Sequence, residues 1–145
     1  MPTVEDTHIV NRSRAQPHHA NNYGTVHGGN VMKWMDEVGA MSAMRFAGES
    51  CVTARMDSVE FERPIPTGDN ALIEAYVYKA GTTSVRVRVQ VAREDPHTGE
   101  TESTTDARFV FVAVRDGEPT PVPELTVETD EGERLRQAAL DSVSE

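Results

Sequence analysis

The segment that most restricts the fold of this chain spans residues 82–93, where valine alternates with mostly polar side chains. Valine stands at every second position of its central part, and Arg86, Arg88 and Gln90 separate the valines. A period of two places successive side chains on opposite faces of a β-strand. The segment therefore predicts a strand of about ten residues with one buried face and one polar face.

Three further stretches, 51–61, 70–79 and 101–114, have strand-forming composition and are separated by turn-forming residues. Short turns between long strands favour antiparallel neighbours. We expect the four strands to follow one another in a single meander. Residues 7–10 are a candidate short strand near the N-terminus, in an otherwise polar segment with little periodicity.

One helix is predicted between the N-terminal segment and the strands. Its apolar arc, at about 100° per residue, is shared with Met32 and consists of Val31, Met35, Val38, Gly39, Ser42, Ala43 and Phe46. Gly29 or Asn30 opens the helix, and Gly48 is suited to end it because glycine accepts the left-handed conformation. A helix followed by antiparallel strands indicates an α+β fold in which one face of the sheet covers the helix.

The other face of the sheet needs a second cover, because residues 109–114, FVFVAV, are apolar on both sides. We expect a second chain to provide it. The length of 145 residues predicts one domain, at residues 1–125. Residues 126–145 form a C-terminal tail in which Asp130 and Glu133 are placed to cap a short helix.

Charge and cysteine content exclude several classes of partner. The formal net charge of −10 repels nucleic acid and anionic membrane surfaces.

The longest strongly apolar run, 109–114, is far below the roughly 18 residues of a membrane span, and the N-terminus has no secretory signal pattern. Cys51 is the single cysteine, so we expect no intramolecular disulfide and a cytoplasmic location. The acidic, lysine-poor composition also suggests a salt-adapted host.

The residues that indicate chemistry lie around the start of the helix. Gly28 and Gly29 would present unpaired N–H groups beside the positive end of the helix dipole, which suits an oxyanion. Asp36 lies further along the same helix at the edge of the apolar arc, where a partly desolvated carboxylate can act as base or nucleophile. Each feature has a plain structural alternative: a tight turn for the glycines, a solvated flank for Asp36.

A metal site is not expected, because His27 has no second histidine at ligand spacing. The sequence has no GxSxG motif and no arrangement typical of a serine hydrolase triad. Cys51 begins an apolar strand and is interpreted as a small core residue.

The ordered set of motifs resembles the hot-dog-fold acyl-CoA thioesterases of the acyl-CoA hydrolase family. The matching segments are NxxGxVHGG at 21–29, WMDE at 34–37, VTARMD at 52–57, FxRPI at 61–65, GD at 68–69, GTTSV at 81–85 and FVAV at 111–114. The resemblance extends from about residue 6 to Leu125. It implies a long central helix wrapped by an antiparallel sheet of about five strands, and two subunits joined edge to edge into a continuous sheet.

The same resemblance implies hydrolysis of fatty acyl-CoA to free acid and CoA without a cofactor or metal, in a dimer and commonly a trimer of dimers. By this likeness Asp36 is the base or nucleophile, Asn21 of the partner subunit orients water or substrate, and the Gly28 or Gly29 N–H polarises the carbonyl. Implied substrate-binding residues are His27, Arg63, Gly81, Thr82, Thr83, Ser84 and Arg86. A non-catalytic acyl-CoA-binding or sensing protein, or a hydratase, are the alternatives.

Overall fold

The computed structural model describes residues 2–143 as a six-stranded antiparallel sheet around a long helix. Two residues of the predicted tail, 144 and 145, lie outside this description. The elements in chain order are β1 (Ile9–Arg14), α1 (Gly28–Ala47), β2 (Ser50–Phe61), β3 (Asn70–Ala80), β4 (Ser84–Glu94), β5 (Thr101–Arg115), β6 (Glu118–Pro119) and α2 (Asp130–Val143). Short 3-10 turns at Glu5–Thr7 and Pro17–His19 flank β1.

The spatial order of the strands is β1-β3-β4-β5-β2, with the two-residue β6 paired to β5. β3, β4 and β5 form the predicted meander, but the prediction for β2 was wrong, since it pairs with β5 and not with β3. The connection 62–69 leads from the edge strand β2 across the sheet to β3, which lies next to the opposite edge strand β1. Its backbone is satisfied on the way, because Val26 N–H donates to the Ile65 carbonyl and Ala15 N–H to the Asp69 carbonyl.

The N-terminal strand was predicted only in part. The chain makes a 3-10 turn at Glu5–Thr7, and β1 then runs on to Arg14, pairing Ile9 with Ala75 and Arg14 with Asn70. Most β1 side chains are exposed because the strand forms one edge of the sheet. Such a strand has no buried face along its length, so it leaves little alternation in the sequence.

The helix α1 buries the seven residues predicted from its apolar arc. It begins at Gly28, slightly earlier than expected, and ends at Gly48, whose φ of 69° is left-handed. Gly39 allows close packing on the sheet, since a Cβ there would lie 3.2 Å from both Phe111 and Val89. Among residues 2–143, the helices lack the combined length and hydropathy needed to cross a membrane.

The inner face of the sheet forms the core against α1. The alternating valines of β4, at positions 85, 87, 89 and 91, are essentially fully buried there, as the period of two predicted. Phe109 and Phe111 of β5 lie on the same side with their rings 6.2 Å apart. The hydrophobic effect of these side chains holds α1 in place and so sets the position of every residue on its exposed flank.

Part of the outer face, over β3 and Arg108 of β5, is covered by α2 of the same chain. Val110, Val112 and Val114, for which a second chain is expected, stay partly exposed. The Tyr76 hydroxyl donates to the Leu135 carbonyl at 2.6 Å, and Arg108 Nε donates to the Ala139 carbonyl at 3.2 Å. The helix is capped by Thr129, whose hydroxyl accepts from the Gly132 N–H at 2.9 Å, and not by Asp130 with Glu133. Whether 1–125 alone is a domain stays a prediction.

A charged cluster lies beneath α2 on the outer face. Arg88 and Arg108 both pair with Asp106, at 2.8 Å and 2.6 Å. Burial opposes ionisation of Asp106, but the two guanidinium groups outweigh it and hold its pKa below the usual value. Arg88 and Arg108 therefore serve as structural anchors in this chain.

Candidate functional site

The Asp36 carboxylate is held by a neighbouring strand. Asp36 is half-buried in the third turn of α1, and its Oδ1 accepts a 2.5 Å hydrogen bond from the Thr53 hydroxyl of β2. A carboxylate with one oxygen engaged in this way has a fixed orientation, and its other oxygen stays available to accept a proton. This geometry supports the interpretation of Asp36 as a positioned carboxylate and not as a solvated side chain on the helix flank.

The part of β2 that carries Thr53 is irregular. The pairing register with β5 shifts between Thr53 and Arg55 and again between Asp57 and Glu60, and Ser58 has a positive φ of 53°. Bulges of this kind bend a strand and re-aim its side chains, and they are common beside active sites. Thr53 was missed by sequence reasoning, which had only its place in the VTARMD motif as a signal.

Asn21 lies in a tight loop before α1. Its Oδ1 accepts hydrogen bonds from the N–H groups of Tyr23 and Thr25 at 2.8 Å and 3.2 Å, and Gly24 closes the turn with a φ of 75°. The oxygen end of the side chain is thus committed to the loop. The NH₂ end is the one oriented for an external acceptor, such as a water or a carbonyl oxygen.

The start of α1 supplies the expected N–H donors. The N–H groups of Asn30 and Val31 donate to the His27 carbonyl, at 3.0 Å and 3.1 Å. Those of Gly28 and Gly29 precede them and have no acceptor inside the helix. Exposed N–H groups at the positive end of a helix are suited to an anionic oxygen.

A groove of about 390 Å³ opens beside this helix start. Its lining is mainly apolar and is supplied by the first turn of α1, the end of β2, the connection to β3 and β5: Val26, Gly28, Val31, Phe61, Glu62, Arg63, Pro64, Ile65, Thr104 and Thr105. The Phe61 ring packs against Gly28, where a Cβ would lie 3.4 Å away. The groove has the size and apolar character of a small-molecule site.

The two glycines are distinguished by this packing. Gly28→Ala should lower kcat/KM about tenfold, because its methyl group would contact the Phe61 ring at 3.4 Å and occupy space in the groove at the start of α1. Gly29→Ala should lower it by less, since a Cβ there meets no atom within 4 Å. Steady-state rates of the two variants test the order, and the reverse order would contradict the geometry.

The remaining predicted residues lie in two places. His27 is exposed at the N-cap of α1, and Arg63 lines the groove while donating to the Ser103 carbonyl at 2.8 Å. Gly81, Thr82 and Thr83 form the turn between β3 and β4, and Ser84 starts β4 opposite Val112. Arg86 is on β4, where its backbone lies opposite that of Lys79 of β3 in the strand register.

These placements define two half-sites on one chain. The first half-site contains Asn21, His27, Gly28, Gly29 and Arg63. The second contains Asp36 and Thr53, and the turn at residues 81–84 lies near it, because Ser84 and Val52 both pair with Val112. Gly28 and Asp36 are eight residues apart on α1, which is about 12 Å along the axis. One chain therefore does not bring the N–H donors and the carboxylate to the same atom.

Cys51 lies next to this region, at the start of β2. Burial, with a smaller effect of the Glu49 charge, raises the pKa of its thiol to about 11. Iodoacetamide should therefore alkylate the folded protein slowly at pH 8, with the rate rising until the pH reaches about 11, because the thiolate is the nucleophile. Mass spectrometry follows the reaction. Equal rates at pH 8 for folded and urea-unfolded protein would contradict this prediction.

A curled antiparallel sheet wrapped around one long helix is the architecture of the hot-dog fold. In this chain polar groups lie at the start of that helix and on its flank. A family model described as the thioesterase superfamily matches residues 23–100. This chain belongs to the thioesterase superfamily.

Several proteins that are similar over nearly the whole chain are named for acyl-CoA hydrolysis. The chain is 37% identical over 142 residues to the uncharacterized acyl-CoA thioester hydrolase YkhA of Bacillus subtilis, covering 97% of this chain and 83% of that protein. The acyl-CoA hydrolase of Staphylococcus aureus in complex with butyryl coenzyme A and coenzyme A superposes with a TM-score of 0.88 at 33% identity, covering 98% and 87% of the two chains. A hexameric acyl-CoA thioesterase superposes with a TM-score of 0.87 at 36% identity, covering 96% of this chain and 90% of that chain.

Three structures of the S. aureus hydrolase carry single alanine replacements, of an asparagine, an aspartate and a threonine. In that protein the asparagine precedes the aspartate by the same number of positions as Asn21 precedes Asp36 here. The threonine follows the aspartate by the same number as Thr53 follows Asp36. The spacing supports the choice of these three side chains as a group.

Proposed function

We propose that this protein hydrolyses fatty acyl-CoA thioesters to a free acid and coenzyme A. The observation that carries the proposal is the hydrogen bond between the Thr53 hydroxyl and Asp36, which presents a carboxylate at the exposed edge of the sheet. The acyl-CoA hydrolases that resemble this chain support the choice of substrate. The protein would work in the cytoplasm, as the single cysteine predicts.

In the proposed reaction the thioester carbonyl accepts hydrogen bonds from the N–H of Gly28 or Gly29. Asp36 takes a proton from a water that attacks the carbonyl carbon, and the partner's Asn21 orients that water or the substrate. When the C–S bond breaks, the sulfur leaves with the bonding electrons and receives the proton from Asp36. In the covalent variant of this scheme, Asp36 attacks the carbonyl carbon and the C–S bond breaks, so that coenzyme A leaves as a thiolate and takes a proton from water. A second water then cleaves the anhydride to the free acid and the Asp36 carboxylate.

The two half-sites meet if two copies pair along β2. This strand is 12 residues long, ends the sheet opposite β1, and exposes Val52 and Phe61 by 52% and 47%. A long exposed edge is a template for another strand. Antiparallel pairing of two β2 strands in full overlap would set Phe61 opposite the partner's Ser50, so the groove of one copy approaches the Asp36 and Thr53 region of the other. The dimer is therefore the minimal active unit.

A trimer of such dimers is the assembly we propose, supported by the hexameric relative. Coenzyme A would contact His27, Arg63, Arg86 and the turn formed by Gly81, Thr82, Thr83 and Ser84. Arginine suits the phosphate groups, because its planar fork donates two parallel hydrogen bonds.

Release of free thiol from saturated acyl-CoAs of increasing chain length tests the function directly. A sensor protein would bind these compounds without releasing thiol, and a hydratase would act only on the unsaturated ones. Hydrolysis without a metal predicts that EDTA leaves the rate unchanged. Light scattering of the same sample gives the assembly, and activity from a monomer at working concentration would contradict the shared site.

A further inference from the structure

The hydroxyl of Thr105 is buried and makes no hydrogen bond that would stabilise the fold. The residue is 2% exposed, and its Oγ1 has no hydrogen-bond partner among residues 2–143. Buried polar groups are nearly always paired, and one that is not needs an explanation. Its neighbour Thr104 is equally buried but donates to the Val91 carbonyl at 3.1 Å.

Thr105 lies in the wall of the groove at the start of α1, with its hydroxyl buried behind the surface. Thr105 pairs with Phe61 across β5 and β2, and both residues line the groove together with Gly28. Most of the wall is apolar, including Val26, Val31 and Ile65, although Glu62 and Arg63 also line the groove. The Thr105 hydroxyl is thus an unpaired polar group in a mainly apolar wall. An occupant of the groove either pairs with this group or leaves it unsatisfied.

We infer that this groove holds the acyl chain and that Thr105 selects acyl groups carrying an oxygen substituent, such as hydroxyacyl-CoAs. The inference rests on the proposed hydrolase function. With the carbonyl at the Gly28 or Gly29 N–H, the acyl chain extends along the groove wall formed by Phe61. A plain alkyl chain leaves the Thr105 hydroxyl unpaired, whereas a substituent hydroxyl both accepts from and donates to it.

Rates with butyryl-CoA and 3-hydroxybutyryl-CoA, measured by thiol release, test this inference, because the two substrates differ by one oxygen. The wild-type protein should favour the hydroxylated substrate about tenfold in kcat/KM. Thr105→Val keeps the shape and removes the hydroxyl, so the ratio should fall to about one. Thr105→Ser keeps the hydroxyl and should restore most of the ratio. Thr101→Val, on the same strand and outside this groove, is the control and should keep it.

Thermal unfolding separates selectivity from a structural role. Thr105→Val removes an unpaired buried hydroxyl and should raise Tm by about 2 °C, whereas Thr104→Val removes the hydrogen bond to the Val91 carbonyl and should lower it. A lower Tm for Thr105→Val, with the ratio unchanged, would overturn the assignment.

The remaining outcomes also decide the question. Equal rates of the wild-type protein on both substrates would refute the role of Thr105 and leave the hydrolase function standing. A preference that persists in Thr105→Val would refute it as well. Hydrolysis of neither substrate, nor of longer saturated acyl-CoAs, would remove the proposed function and this inference with it.

Discussion

Asp36→Asn is expected to lower kcat by about 10³-fold, because the amide cannot take a proton from water or attack the thioester. The amide oxygen of the variant still accepts the hydrogen bond from Thr53, so the fold and the assembly should not change. Thiol release from a saturated acyl-CoA measures the rate. Light scattering measures the assembly, and thermal unfolding measures the stability of the fold.

The matched control for this variant is Glu37→Gln, which removes a carboxylate from the next residue of α1. Glu37 is exposed and lies off the buried arc of the helix, so kcat should stay within about twofold. Asp36→Asn with most of the wild-type rate would show that its carboxylate is not the reacting group. An equal loss in both variants would point to a general effect of charge.

Mixing two inactive variants should restore activity if each site is shared between subunits. Asn21→Ala and Asp36→Ala each damage both sites of their own homodimer. In a mixed dimer one site receives both substitutions and the other receives neither. Random re-association of equal amounts makes half of the dimers mixed, so about one quarter of the wild-type activity should return.

The mixture must be prepared under conditions that exchange subunits, for example mild urea followed by dialysis. The two variants dialysed separately and then combined serve as the control and should stay inactive. If Asn21 and Asp36 belonged to a site within one chain, no mixed dimer would contain an intact site, and the exchanged sample would stay as inactive as its parents. The roughly 12 Å between Gly28 and Asp36 along α1 is the structural reason to expect the shared arrangement.

The local periodicities of the sequence were sufficient to predict most of the helices and strands. The valines of β4 and the apolar arc of α1 predicted their buried faces correctly, because burial on one face imposes the period of the element itself. The exposed edge strand β1 was mostly missed for the same reason, since without a buried face it carries no period. The pairing of β2 with β5 was missed because hairpin rules describe adjacent strands, while the connection 62–69 crosses the sheet.

For the site, the sequence alone determined the residue types: the glycine pair at a helix start, the carboxylate of Asp36 on its flank, and the family motifs around them. Only the tertiary structure decided that Thr53 holds Asp36, that Phe61 packs against Gly28, and that the Thr105 hydroxyl is left unpaired in the groove. The physical reason is that periodicity records which face of one element is buried. Contacts between elements depend on strand order, bulges and register, which distant parts of the chain set together.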